Sequence, residues 1–433
     1  MRRLLSIVFS AILLLIVSAQ GTWAQNQGLP GRQGPFAPGT ITHLDRTVLH
    51  DDIVHYRYTV VVGPGQFDKV WLHRVVKEPQ PHHPMRTVDG VLLLPGSPNF
   101  FESIFMAPLI SSVPAWDRSV AIFLAENNID VWGMDYAWAL VPAETTDFDF
   151  MKGWGIEKDT QHTEIALSLA RQIRGITDQG FGPLHVLGFS YGGFMAYAVA
   201  GEETQKPPGL RNVKGIIVGD VAMKFREKSI RDYYCSDIAQ YQAMLEAGVY
   251  NDNSGVFLKQ LSDLALSAPD DPSAIFTGLT NYQAPLFLGA NTTLMNGQFW
   301  HFVGGYLDAN GIPSDLRFTE ARLWLDLLQA LPPQLPVQTD VDVDALFCGN
   351  VNVPFDDHLS EISVPILYVG TGGGFGQTGY YTTTLTASRD VTKFTVSITG
   401  DRATDFGHAD LFLSKDAEGL AWRPILNWLK AHR

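Results

Sequence analysis

Short, nearly uninterrupted apolar runs alternate along this chain with segments whose apolar residues recur every three or four positions. Val91-Leu92-Leu93-Leu94, residues 184–187 and residues 213–218 are runs of the first kind. Such a run has no polar face, so it predicts a strand covered on both sides, as in a parallel sheet. Ala166, Leu169, Ala170 and Ile173 are of the second kind and share one face of a helix. Residues 116–127 read as a helix too, and 420–430, with Trp422, Ile425, Leu426 and Leu429, as the closing one. Residues 129–136, 364–370 and 393–398 supply further strands. Ahead of them, 55–62 and 68–76 flank Gly63-Pro64-Gly65 and form an antiparallel pair joined by a turn. Strand and helix alternating in this order imply right-handed crossovers and a mostly parallel central sheet flanked by helices.

The alternation stops from residue 222 to residue 361, a stretch far longer than an ordinary connection between strands. It carries helical patterns such as 320–331 and many aromatics, among them Tyr233, Tyr234, Phe299, Trp300, Phe302 and Trp324. The expectation is a large, mainly helical cap inserted over the C-terminal edge of the sheet, where such sheets place ligands. Most of its aromatics would fill its own core, and some would line a pocket. Residues 41–221 and 362–433 then form the core domain. Before it, residues 25–40, rich in Gly, Pro and Gln, read as a flexible leader. Residues 1–24 read as a secretory signal peptide: Arg2-Arg3, an apolar run over 4–17, then small residues up to Ala24. The run is too short for a comfortable bilayer span, so the mature protein is expected in a secreted or periplasmic location without a stable membrane anchor.

Composition narrows the class. Of 433 residues 45% are hydrophobic, enough for a large core, and the net charge of -14 argues against nucleic acid or an anionic membrane as partner. Two cysteines, Cys235 and Cys348, lie near the two ends of the inserted stretch. In an exported protein they can form a bridge that fastens the cap to its base, or remain two buried thiols.

The chemistry concentrates where the run 184–187 ends. Gly188-Phe189-Ser190-Tyr191-Gly192 is Gly-x-Ser-x-Gly between a strand and a helix rich in small residues (Gly193, Ala196, Ala198, Ala200). A sharp strand-to-helix turn lifts the Ser190 hydroxyl above the sheet and opens a helix N-terminus behind it. Far along the chain, His408 sits in Phe406-Gly407-His408-Ala409-Asp410, after the last strand. On these two motifs the chain resembles the α/β-hydrolase superfamily, over nearly all of the mature sequence apart from the insertion. The resemblance implies an α/β-hydrolase fold, Ser190 as nucleophile and His408 as its base.

The third member departs from the pattern. The family usually takes its acid from the loop after the seventh strand, but residues 370–379 hold no carboxylate. Asp220, after the sixth strand, is the position some members use, and it preserves the order Ser, Asp, His; Asp390 and Asp405 are the alternatives. The oxyanion donors implied are the backbone N–H of Tyr191 and one near Ser97, in Pro95-Gly96-Ser97-Pro98, where many members have His-Gly. Ser97 before Pro98 also reads as a helix N-cap.

Three further signals are set aside. Gly374-Phe375-Gly376-Gln377-Thr378-Gly379 matches a dinucleotide fingerprint, but no helix pattern follows. Asp340-Val341-Asp342-Val343-Asp344 lacks the glycine and closing glutamate of a calcium loop. His82-His83 has no further ligand nearby. No cofactor and no metal are expected. The reading is a secreted serine hydrolase cleaving small-molecule carboxylic esters through an acyl-enzyme. A serine peptidase, an acyltransferase or a non-catalytic binding protein on the same scaffold are the alternatives.

Overall fold

A computed structural model describes residues 37–292, 300–349 and 352–433 of the chain. The signal peptide and most of the leader predicted above lie outside them, as does Phe299. Nine strands form one sheet among the described residues: β1 Ile41–His50, β2 Ile53–Val61, β3 Lys69–Lys77, β4 Asp89–Leu94, β5 Ile129–Asp135, β6 Leu184–Phe189, β7 Val213–Gly219, β8 Ile366–Thr371 and β9 Val391–Val396. Their order is β1-β2-β3-β5-β4-β6-β7-β8-β9. β1, β2, β3 and β5 pair antiparallel in turn, and from β5 to β9 every neighbour is parallel. β1 is the strand that periodicity does not announce: its residues are mostly exposed, and it pairs on one side only.

Period-two alternation sends the strand side chains into two separate cores. Leu92, Leu94, Val186, Ile216 and Val218 face α3 (Ile156–Ile176) and α4 (Tyr191–Thr204). Val91, Leu93, Leu187, Ile217 and Val369 face α2 (Val120–Glu126) and α10 (Arg423–Ala431). Every residue of β4, β6 and β8 is buried, which is why these segments read as continuous apolar runs. A short helix, α1 (Phe101–Phe105), follows β4. Its first turn is closed by Ser103, whose hydroxyl accepts from Phe100 N–H at 3.0 Å, so Ser97 is not the helix cap that its position before proline suggests.

Between β7 and β8 the chain builds α5 (Lys228–Glu246), α6 (Ser254–Ser267), α7 (Gln283–Ala290), α8 (Ala321–Gln329) and α9 (Val337–Cys348). The would-be calcium loop is part of α9. α5 packs along α9, and a disulfide joins Cys235 to Cys348 across them. This helical stretch is tied to the sheet layers by buried polar links. Asp342 accepts from Ile156 N–H at 2.9 Å, and Asp410 accepts from Thr319 Oγ1 at 2.6 Å and Gly304 N–H at 2.8 Å. No helix among the described residues is long and apolar enough to cross a membrane.

Candidate active site

β6 ends at Phe189 and α4 begins at Tyr191, leaving Ser190 alone to make the turn with φ 54° and ψ -119°. A non-glycine residue there costs on the order of 1–3 kcal/mol and persists only where its surroundings enforce it. The enforcement is close packing of backbone on backbone. A Cβ on Gly188 would lie 1.8 Å from the Gly192 carbonyl oxygen, and one on Gly192 would lie 2.1 Å from that of Leu94. Strand, turn and helix touch without intervening side chains, and Ser190 N–H is fastened to Gly219 O at 3.0 Å. The Ser190 hydroxyl makes no hydrogen bond to another described residue.

Asp220 follows β7 and is fully buried. Its carboxylate accepts from His408 Nδ1 at 2.7 Å, Thr371 N–H at 2.8 Å, Thr371 Oγ1 at 2.9 Å, Gly376 N–H at 3.1 Å and Phe375 N–H at 3.2 Å. Five donors compensate the loss of water around a buried charge. Four of them belong to Thr371 and the loop after β8, the one whose lack of a carboxylate is anomalous in the sequence. That loop serves the acid instead of supplying it. A Cβ on Gly374 would lie 1.9 Å from Asp220 Oδ2, so this position of the loop needs a glycine for the cradle to close. The alternatives point elsewhere. Asp390 pairs with His432 at 3.1 Å, and Asp405 accepts from Ile398, Thr399 and Phe406 N–H and from Ser397 Oγ.

His408 comes from the loop after β9. Its N–H and that of Ala409 bond the carbonyls of His301 and Phe302, so the inserted stretch helps hold the histidine loop. Asp410 completes the loop by accepting from Gly407 N–H at 2.7 Å, and burial pushes this carboxyl up to about 6. The His408 ring lies 4.5 Å from the Phe189 ring, beside Ser190 in the chain, and 4.9 Å from Trp300. The His408 ring thus lies against the residue that precedes Ser190, with no hydrogen bond between Ser190 and His408. Bonds of this kind often tighten only when substrate is bound.

Pro95 to Phe100 passes over Ser190. A Cβ on Gly96 would lie 2.7 Å from the Ser190 Cβ, and the Ser97–Pro98 peptide is cis. Ser97 N–H has no partner among the described residues, and Tyr191 N–H, first in its helix, has no intrahelical one. Both candidate donors therefore belong to segments that border the Ser190 side chain. Behind the turn, the Tyr191 hydroxyl donates to Asp159 at 2.8 Å and Trp138 Nε1 donates to the same oxygen at 3.0 Å. Burial pushes Asp159 up to about 7.

Trp300, Phe302 and Phe375 around His408 are residues that sequence reasoning does not single out for the site. Among so many aromatics in the inserted stretch, nothing in their spacing separates wall from core. Asp159 sits on α3 with no motif around it.

No protein-family model and no curated protein sequence matches the chain. Solved structures do. A crystal structure from Sulfolobus solfataricus, provisionally described as a lipase, superposes with a TM-score of 0.60 at 17% identity, covering 90% of this chain and 100% of that one. Juvenile hormone epoxide hydrolase from the silkworm Bombyx mori gives 0.43 at 11% identity over 88% and 77%. Paleococcus ferrophilus monoacylglycerol lipase gives 0.39 at 12% over 81% and 97%. At such identities the first likeness speaks to the fold alone, and the other two carry no further weight.

Proposed function

The chain has the α/β-hydrolase fold, and from that premise we propose that it is a serine hydrolase acting on carboxylic esters. The observation that carries the reading is the His408–Asp220 hydrogen bond, formed beside the strained turn that presents Ser190. In the proposed reaction His408 Nε2 takes the Ser190 proton as the hydroxyl oxygen attacks the acyl carbonyl. Asp220 fixes the imidazole tautomer and stabilises the imidazolium. The N–H groups of Tyr191 and Ser97 receive the negative oxygen of the tetrahedral intermediate. The imidazolium returns its proton to the leaving alcohol, and water then releases the acyl group by the same steps in reverse.

We read residues 222–361 as a cap, with Trp300 and Phe302 as its contribution to an apolar acyl or alcohol pocket beside His408. The Cys235–Cys348 disulfide supports export through the N-terminal signal segment into an oxidising compartment. Turnover of p-nitrophenyl esters of graded acyl length tests the assignment. The expected result is hydrolysis with a length optimum that moves when Trp300 is changed to Ala. Absence of ester turnover, with cleavage of peptide substrates instead, would replace the ester assignment by a peptidase one.

A further inference from the structure

At the antiparallel edge of the sheet, away from Ser190, β2, β3 and α1 bring together His55, His73 and Glu102. His55 Nε2 lies 2.9 Å from His73 Nδ1, and Glu102 Oε1 lies 3.9 Å from His55 Nδ1 and 4.0 Å from His73 Nδ1. Both imidazoles are buried, whereas the Glu102 side chain is about a quarter exposed. The far nitrogen of His73, Nε2, faces the buried carboxylate of Asp135 at 2.9 Å. When Asp135 is ionised it only accepts; Nε2 then carries the proton and Nδ1 turns its lone pair inward, toward His55 and Glu102. This carboxylate–imidazole arrangement is the one that orients histidine ligands in metal sites. Asp135 is itself held by Phe101 N–H at 2.5 Å, and the His73 ring lies 4.6 Å from that of Phe101. A cleft of about 150 Å³, lined by Asp45, Thr47, His55, Arg57 and Glu102, reaches the cluster from solvent.

We propose that His55, His73 and Glu102 bind a divalent transition-metal ion of the zinc class, with its fourth position opening into this cleft. Two imidazoles and one carboxylate are a donor set such ions accept, at about 2.0–2.2 Å from each ligand. Around a tetrahedral ion, ligand atoms sit roughly 3.3–3.5 Å apart. The imidazole nitrogens need to open slightly and Glu102, the least buried of the three, to swing inward. The His55 proton moves to Nδ1, leaving Nε2 free to coordinate, so no proton is lost. Arg57, whose Nη1 lies 3.7 Å from Glu102, keeps Asp45 at 3.1 Å and its place over Trp71 when Glu102 turns to the ion. An ion here would tie α1 to β2 and β3, fastening the segment that follows Ser97. These ligands lie 18 and 29 positions apart on three elements, which is why no metal motif is visible in the sequence.

The test uses Zn²⁺ alone, added to the full chain after chelator treatment, with metal content after gel filtration and thermal unfolding as readouts. Neither depends on hydrolase activity, so the outcome is independent of the proposed function. The expected result is about one ion retained per chain and an unfolding temperature raised by several degrees. Glu102→Gln and His55→Gln should each weaken retention by at least about tenfold with far-UV circular dichroism unchanged. His82→Ala with His83→Ala should retain the ion. No retention by the wild type, or undiminished retention by a folded Glu102→Gln, would overturn the proposal.

Discussion

His408 and His73 are two buried imidazoles, each held by a buried aspartate, toward opposite edges of one sheet. The distances are nearly the same, 2.7 Å to Asp220 and 2.9 Å to Asp135. What differs is the nitrogen on the far side. That of His408 has no partner among the described residues and belongs to a ring packed on Phe189, next to the strained Ser190. That of His73 is taken by His55. The surroundings differ as well. Among the described residues Asp220 accepts five hydrogen bonds, and Asp135 only those from His73 and Phe101. Burial pushes Asp135 up to about 7 and His73 down to about 4. A histidine–aspartate pair is thus not a function by itself. The group that its free nitrogen faces decides whether it moves a proton, orients a ligand or only fills space.

The contrast can be broken most sharply at Asp220. Asp220→Asn leaves shape intact but lets the imidazole take the wrong tautomer, so kcat should fall by about 10⁴ with little change in KM. Asp135→Asn is the matched change on the other side. It should leave kcat within about threefold and cost about 1–3 kcal/mol in denaturant unfolding, the range for disturbing one buried polar contact. Equal losses of kcat in the two variants would erase the distinction.

Asp159 supplies a third buried carboxyl, behind the nucleophile and joined to it only through Tyr191. Its folded-state value of about 7 stands above the ordinary 3.8. The folded protein therefore binds more protons than the unfolded chain between those values, and this group's contribution to stability falls as pH rises through that window. Asp159→Asn removes that slope. Relative to wild type, the variant should gain about 1 kcal/mol or more between about pH 5 and about pH 8, measured by denaturant unfolding. A constant difference across that range would contradict the assignment.

What the sequence reveals and what it hides follow from how each feature is encoded. β4, β6 and β8 are buried on both faces and therefore legible as apolar runs. Ser190 is legible because close backbone packing demands small residues at fixed offsets around it. Asp220 is reached only through the family resemblance, as a position some members use, since what marks it is a ring of N–H donors, and donors of the main chain leave no trace in side-chain identity. β1 is hidden because an exposed edge strand needs no apolar periodicity. His55, His73 and Glu102 are hidden because three elements, none carrying a motif, bring them together. Trp300 and Phe302 are hidden among aromatics of the same insertion that fill its interior.

The central claim is that Ser190 is a nucleophile activated by the pair His408 and Asp220. Intact-mass analysis after treatment with a fluorophosphonate, followed by peptide mapping, tests it most directly. One adduct per chain is expected, located on Ser190, absent in Ser190→Ala and strongly slowed in His408→Ala. Labelling of Ser190→Ala to the same extent as wild type would contradict it.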